Sequence, residues 1–585
     1  MGKLNQVHHS SPGLFLVSTT VILMVTSAPM LALEPRTAKI NPASDRLAQV
    51  RPSPDDPFPD LEFPERLPPP EELLEPRPED ETDDQLDRLE GTIEVRGYRV
   101  EGSSQFTAED FASVLEPFIG QMSFAQLLQA RSAVTQFYVD RGYVTSGALL
   151  PPQTIEDGIV TIQVIEGALE DIVVTGDRRL HPDYVRSRLN LAAQAPLNIN
   201  ELLEALQLLQ LDPLIENLSA ELSASPRPGF NLLEVDISEA PSFRPLLRFD
   251  TGRSPTVGAY RGTVELEERN LTGWGDRARI SYSRTEGSDE LQAAYRLPIN
   301  PRNGTLETSF RITGSEIIES PFDELDITAD SRDYELTYRQ PLHRSPTEEF
   351  SLGLTFSRRE SDTSLLDEPF ALSVGANDEG ETRLSVLRFF QEWTQRGSRF
   401  VFATRSQFNW GIPIFSNDTI NSREPDGRFL NWRGQAQYLR LLAPNGTALL
   451  LRSDVQLSAT SMVPLERFGL GGNFSVRGYS QDFLLADSGL FASAELRFPI
   501  WTADAGETRL ELRPFVDVGT VWNQEDLKLD SNTLASIGLG LQFGVGDRLS
   551  AKLDWGIPLV DVEERENRDL FERQELYFQI EWQPF

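Results

Sequence analysis

The chain has 585 residues, with 90 Asp and Glu against 54 Lys and Arg and a formal net charge of −36. That balance argues against nucleic acid as a partner, because phosphate binding needs a basic face. The absence of any cysteine rules out a disulfide scaffold and thiolate zinc sites. A mean hydropathy of −0.33 does not exclude a membrane, since a spanning barrel alternates apolar and polar residues and averages out polar.

In chain order, Lys3, the apolar run Gly13 to Val25 and the small residues through Ala32 read as a secretory signal peptide, residues 1–32. The apolar core is too short for a spanning helix. His8 and His9 leave with it, so His181 and His343 alone remain and no metal site is expected. Residues 33–91 are rich in Pro and acid, with Pro68-Pro69-Pro70 and Glu79-Asp80-Glu81 as the extremes. Such a segment buries little apolar surface and reads as a largely disordered linker.

Residues 92–167 alternate strand and helix signals. A strand at Ile93–Val100 leads to the N-cap Thr107, and Ser123-Phe124-Ala125-Gln126 is a capping box opening a helix with Leu127, Ala130, Val134 and Phe137 on one face. Gly142 stops it, and strands at Val144–Leu150 and Ile159–Ile165 follow. This order, with the stretch GALLPPQTIEDGIVTIQVIEG, resembles a POTRA domain of two-partner secretion transporters. An edge strand of such a domain could bind an extended client by β-augmentation; which residues would do so is not legible.

Residues 168–241 repeat the plan: a strand at Asp171–Thr175, helices at Pro182–Leu189 and Ile199–Leu211, and strands near Leu218–Leu222 and Leu232–Ile237. Leu202, Leu203, Leu206 and Leu209 form the apolar face of the second helix, and His181 opens the first as a boundary residue. The resemblance makes this a second POTRA domain.

From Ser242 to Phe585 the pattern is alternating strands with turn signals. Ala278, Ile280 and Tyr282 oppose Arg277, Arg279 and Ser281, and Leu549, Ala551, Leu553 and Trp555 oppose Ser550, Lys552 and Asp554. Asn303-Gly304 and Asn445-Gly446 are type I′ hairpin dipeptides, in which both central residues need positive φ. Alternation does not say which face is inside, but charge on so many polar faces suits a wet lumen better than a packed core. At about 21 residues per strand with its connection, the region holds about sixteen antiparallel strands.

Within this region, Leu465–Pro499 carries Val476-Arg477-Gly478-Tyr479 in a glycine-rich run. In the strand that follows, Leu490, Ala492, Ala494 and Leu496 oppose Phe491, Ser493, Glu495 and Arg497. In the next, Arg509–Gly519, the residues Arg509, Glu511, Arg513, Phe515 and Asp517 share one face. If the Arg477 loop folds inward, its guanidinium meets the acids Asp517 and Glu495, where a bidentate carboxylate pair is strong. The segments Val-Arg-Gly-Tyr and, around Phe515, Asp517 and Gly519, Phe-x-Asp-x-Gly resemble the Omp85 superfamily of outer-membrane transporters. That resemblance implies an inward loop latched by Val476, Arg477, Gly478 and Tyr479 on Asp517, with Glu495 nearby. Val95-Arg96-Gly97-Tyr98 repeats the letters but reads as ordinary strand.

Two POTRA units ahead of the barrel resemble the secretion branch, the haemolysin and filamentous-haemagglutinin exporter type. The FDTGRSPTVGAYRG stretch and Asn270–Asp276 look like its first barrel hairpin. The resemblance implies an outer-membrane transporter that binds a secreted exoprotein in the periplasm through the client's N-terminal secretion domain and exports it without ATP. Outer-membrane lipid and the barrel assembly machinery are then partners; Phe585 is the terminal aromatic such proteins carry, although Pro584 intervenes and the parity is shifted. Some relatives carry a plugging helix; here the only candidate is Asp45–Val50, bounded by Pro42 and Pro52, so a plug of that form is not expected.

No cofactor and no catalysis are expected. Gly469-x-Gly471 and Gly538-x-Gly540 lie among strands without a P-loop Lys, and there is no G-x-S-x-G or Ser–His pair. Two other classes compete with the exporter. One is an assembly factor for other barrels, which more POTRA repeats would favour; the other is a solute porin, to which the soluble repeats would be superfluous.

Overall fold

The computed structural model describes Leu61 and residues 92–176, 178–420, 425–503, 507–524, 531–561 and 575–584. The signal peptide, nearly all of the linker, the plug candidate and Phe585 lie outside the described residues.

The first unit runs β1 (Thr92–Val95), β2 (Gly97–Glu101), α1 (Ala108–Leu115), β3 (Gly120–Ser123), α2 (Phe124–Val139), β4 (Gly147–Leu149) and β5 (Ile159–Ile165). Strand β5 lies between β2, parallel, and β4, antiparallel. The single strand expected over 93–100 is divided at Arg96, whose N–H bonds the Gly158 carbonyl at 2.8 Å. The part before the break pairs instead with β3, a short strand that the sequence pattern does not announce. At α2 the Gln126 side chain accepts from the Ser123 N–H at 2.8 Å, completing the capping box. Leu127, Ala130, Val134 and Phe137 are all buried.

The second unit is β6 (Ala168–Thr175), α3 (Pro182–Leu189), α4 (Ile199–Gln210), β7 (Ile215–Ala224) and β8 (Phe230–Glu239), with β8 central. Leu202, Leu206 and Leu209 anchor its core, and Leu203 is half-buried. The two units are tied by backbone bonds from Ile199 to Gly142 (2.8 Å) and Leu197 to Gly167 (2.7 Å).

The rest is a closed antiparallel barrel of sixteen strands. They are β9 (Phe243–Asp250), β10 (Arg261–Glu268), β11 (Arg277–Arg284), β12 (Ser288–Pro298), β13 (Thr305–Glu316), β14 (Ile327–Arg344) and β15 (Glu348–Leu365). After a two-residue strand in the next loop, β16 (Glu368–Pro369), come β17 (Glu381–Gly397), β18 (Phe400–Gly411), β19 (Phe429–Leu441) and β20 (Ala448–Ser458). A small hairpin, β21 (Phe468–Leu470) and β22 (Leu484–Ala486), stands apart from the wall. Then follow β23 (Ser488–Ala503), β24 (Thr508–Trp522), β25 (Thr533–Val545), β26 (Leu549–Pro558) and β27 (Leu576–Trp582), which closes on β9.

The faces divide as the alternation implied, and the structure settles which is inside. Ile280, Tyr282, Leu490, Val516, Leu553 and Trp555 are exposed on the outer wall, while Glu267, Asp333, Glu495 and Asp517 are buried inside. An outward band of exposed apolar side chains around a charged interior is what a lipid bilayer selects. Among the described residues no helix is long and apolar enough to cross a membrane.

The two Asn-Gly turns differ from expectation. Strands β12 and β13, and β19 and β20, are separated by six-residue turns, and positive φ occurs only at Asn303 (57°) and Gly446 (90°). The longer turns need one left-handed residue each, where a two-residue type I′ turn needs two.

The second α/β unit is seated on the barrel. Asn270–Asp276 forms the turn between β10 and β11, where Trp274 stacks on the His181 ring at 4.3 Å and the His181 N–H bonds Gly273 O at 2.7 Å. Arg179 reaches Asn270 O at 2.9 Å, and Arg188 Nε reaches Asn303 Oδ1 at 3.0 Å.

Candidate functional site

Counting alternate directions from β9, β20 runs away from the α/β units, so the segment between β20 and β23 leaves at the far end of the barrel. It does not stay there. Met462, Val463, Phe468, Leu470, Val476 and Tyr479 are buried, and the β21–β22 hairpin packs against Phe491, Val521 and Leu534 of the inner wall. Phe491, which alternation placed on the polar face, is the apolar seat for that hairpin.

At the tip, Arg477 meets both acids that sequence assigned to it. Its Nε and Nη2 donate to Asp517 Oδ2 and Oδ1 at 2.8 and 3.1 Å, and its Nη1 donates to Glu495 Oε2 at 2.8 Å. The Arg477 backbone N–H adds a bond to Asp517 Oδ2 at 3.2 Å. The guanidinium lies 3.4 Å from the Phe515 ring centre, a cation–π contact. Arg477, Glu495 and Asp517 are 2 %, 1 % and 0 % exposed, so each charge is held by its partners rather than by bulk water.

Several further residues complete the site. Arg513 donates to Glu495 Oε1 through Nε and Nη2 at 2.9 and 2.6 Å, and Ser493 donates to Asp517 Oδ1 at 2.6 Å. Both were visible as inward by parity, but nothing in the sequence marked them as partners. The Tyr577 hydroxyl donates to Tyr479 O at 2.5 Å and accepts from the Gly478 N–H at 3.2 Å. The Tyr479 hydroxyl sits between the carbonyls of Ala535 (2.9 Å) and Val560 (3.0 Å).

Gly478 has φ +95°, and a Cβ there would lie 2.8 Å from Gly556 O on β26. Side chains are excluded both by conformation and by space. Gly519 is bare for the same loop, since a Cβ would strike Leu470. The other end of the segment is pinned as well: Glu466 accepts from Arg388 Nη1 and Nη2 at 3.0 and 2.8 Å. Val95–Tyr98 shares none of this; it straddles the β1–β2 break and Arg96 is exposed.

With the loop in place the lumen keeps a cavity of about 830 Å³, walled by ion pairs such as Arg339–Glu349, Arg405–Glu392 and Arg433–Asp454. A second space of about 170 Å³ adjoins Arg477, and Leu61 lines it. Leu61 also packs on Val401, Leu439 and Leu450 of the inner wall. Among the described residues no cluster of His, Asp and Glu could hold a metal ion.

The fold and the inward loop define a class, outer-membrane β-barrel transporters of the Omp85 superfamily with a POTRA domain upstream. Residues 233–543, just over half of the chain, match haemolysin secretion/activation proteins ShlB/FhaC/HecB, and residues 93–167 match the ShlB-type POTRA domain. The chain belongs to the ShlB/FhaC/HecB family. It is 22 % identical over 458 residues to the heme/hemopexin transporter protein HuxB of Haemophilus influenzae strain 86-028NP, covering 75 % of this chain and 79 % of the relative. It is 23 % identical over 427 residues to the outer membrane transporter CdiB of Dickeya dadantii, covering 70 % and 72 %. The solved structure of CdiB from Escherichia coli matches with a TM-score of 0.67 at 18 % identity, over 93 % of this chain and 96 % of that one.

Proposed function

We propose that this chain is a dedicated exporter of a secreted protein. In this reading residues 92–167 and 168–241 are two POTRA domains that receive an unfolded client in the periplasm, and residues 242–585 are the barrel through which it leaves. The observation that carries the reading is the latched loop: Val476–Tyr479 held on Asp517 and Glu495 deep inside a lumen whose walls are charged. A passive solute channel has no need of a buried four-point clamp on a loop that narrows its own bore, whereas a translocator must hold a closed state and a movable element. The sequence has no nucleotide-binding motif, so folding of the client outside would supply the free energy. Membership of a secretion family and resemblance to HuxB and CdiB support the same reading.

The test compares culture medium and outer membranes with and without the chain. Loss of one or a few large secreted proteins, with other barrels unchanged, is the expected result and names the client. General depletion of outer-membrane barrels would make the chain an assembly factor, and no change in either fraction would make it a solute channel.

A further inference from the structure

A cavity of about 340 Å³ lies in the seam between the second α/β unit and the barrel turns, away from the latch. One wall is a single face of α4, where Glu201, Glu204, Ala205 and Leu208 stand at i, i+3, i+4 and i+7. The opposite wall is made by Arg302 of the β12–β13 turn and by Leu342 and His343 of β14, with Arg188 and Leu191 between. The cavity is thus acidic at one corner, basic at another and apolar along the rest.

Its cations are only partly used. Arg188 spends Nε on Asn303 and Nη1 on the Tyr184 carbonyl, and its Nη2 makes no hydrogen bond among the described residues. Arg302 is exposed. Of the acids, Asp212 is engaged by the Tyr184 hydroxyl at 2.7 Å and by the Leu214 N–H at 3.0 Å, while Glu201 and Glu204 are exposed on the rim. Arg344, which also lines the cavity, pairs with Glu349 at 3.4 Å, so the charge left over is Arg302 with Nη2 of Arg188 for the cations and Glu201 with Glu204 for the acids.

The cavity is continuous with the lipid-facing wall. Leu336 and Tyr338 are exposed on the outer face of β14, and Tyr338 is flanked by the exposed Leu306 and Leu354 on neighbouring strands. At the Pro341/His343 bulge of the same strand Leu342 is thrown outward, 60 % exposed, at the mouth of the cavity. Between Tyr338 and Leu342 on that face stands Gln340, whose Oε1 accepts from the Asn300 side chain at 2.7 Å and the Tyr338 hydroxyl at 3.2 Å, so the one polar end along the path of a hydrocarbon chain is already bonded.

We propose that this seam is a binding site for one zwitterionic glycerophospholipid of the adjoining leaflet, phosphatidylethanolamine in chemical class. Its phosphate would pair with Arg188 and Arg302, its ammonium with Glu201 and Glu204, and an acyl chain would run over Leu191 and Leu342. Such a lipid would bridge the soluble unit to the barrel where Arg188 already bonds Asn303. The site does not depend on what the transporter exports.

Native mass spectrometry of the full chain, delipidated in detergent and titrated with phosphatidylethanolamine or phosphatidylglycerol, tests it. The expected result is a single retained phosphatidylethanolamine, bound about tenfold more tightly than phosphatidylglycerol, which lacks the amine. Arg302→Glu and Leu342→Asp each weaken retention by about tenfold or more, while Arg302→Lys keeps it. Both altered side chains are exposed, so folding, checked by heat-modifiable migration, stays intact. Equal retention by wild type and both variants, no preference between the lipids, or displacement by inorganic phosphate alone would overturn the site. So would variants that keep lipid but lose binding of a client's secretion domain, which would make the seam a client groove.

Discussion

Arg477 and Asp517 form a two-point fork, Nε to Oδ2 at 2.8 Å and Nη2 to Oδ1 at 3.1 Å, between a loop and a barrel strand forty residues further along the chain. The third nitrogen, Nη1, is not spare but reaches Glu495, so one planar cation closes two carboxylates from adjacent strands. Replacing Arg477 by Ala takes from buried Asp517 the cation that forks it, while Glu495 keeps Arg513, a loss of about 3–5 kcal/mol in loop docking. The barrel wall, built from backbone ladders, is unaffected. Export is expected to fall severely at normal barrel levels. Arg477→Lys should fail too, because a point charge cannot span both carboxylates while lying flat on Phe515. Secretion assays beside heat-modifiability gels check this, and undiminished export by either variant at wild-type barrel levels refutes the latch.

The Gly478→Ala exchange attacks the same state without touching charge. The new methyl would meet Gly556 O at 2.8 Å on a backbone at φ +95°, so the tip must lift from β26. Lifting also breaks the Gly478 N–H to Tyr577 bond. Added protease should cut the 471–482 segment in whole cells carrying the variant and spare it in wild type. If loop docking is a single event, Gly478→Ala combined with Arg477→Ala will be no worse than Arg477→Ala alone. Simple addition of the two effects would mean that the glycine and the arginine act separately.

Much of this site was legible because a barrel strand has a strict period of two. Once Leu490 and Leu496 face lipid, Glu495 must face the lumen, and Asp517 follows from Val516 and Val518 in the same way. The motif around Arg477 then supplied the link across forty residues. What periodicity could not supply were partners fixed only by closure. Tyr577 lies on the last strand, nearly a hundred residues from Gly478, and nothing in the sequence hints that its hydroxyl serves the loop. Glu466 sits in a segment with no repeat at all, yet holds Arg388. The break at Arg96 is not legible because both halves of 92–101 have strand composition, and only the Gly158 carbonyl and the β1–β3 pairing divide them. His181 was readable as a helix start but not as the residue that meets Trp274.

The joint between the second α/β unit and the barrel should loosen in acid through Glu239. Its Oε1 accepts the N–H groups of Arg178, Arg179 and Leu180 at 2.5, 2.8 and 2.9 Å, fixing the segment that carries Arg179 and His181 to the barrel turn. Burial pushes this carboxyl up, but the three donors together with the Arg179 charge outweigh it and hold it below its ordinary 4.5. With the folded value depressed, the contribution is complete above pH 4.5 and is lost as the pH falls through the folded value. Hydrogen exchange at 178–180 should therefore accelerate only in that acid range. Glu239→Gln keeps an acceptor oxygen but has no proton to gain, so its exchange should lack the acid step. A step of equal size in the variant would place the titration elsewhere.

Tyr577→Phe removes one oxygen and tests whether the loop tip is held by the last strand as well as by charge. The hydroxyl serves two backbone groups at once, donating to Tyr479 O and accepting from Gly478 N–H. Both lie in a buried site, so its loss leaves a carbonyl and an N–H without those bonds, a cost of about 1–3 kcal/mol for each group left unpaired. The ion pairs of Arg477 remain, so the tip should stay docked on average but open more often. The expected phenotype is intermediate: export reduced less than in Arg477→Ala, with faster exchange at 478–479 and an unchanged barrel melting transition. Because β27 also closes the barrel against β9, a lowered melting transition would instead mean that Tyr577 matters for closure of the wall. Phe249, Tyr260 and Phe578 pack together across that seam, and loss of the hydroxyl removes none of these ring contacts, which is why the wall is expected to survive the change.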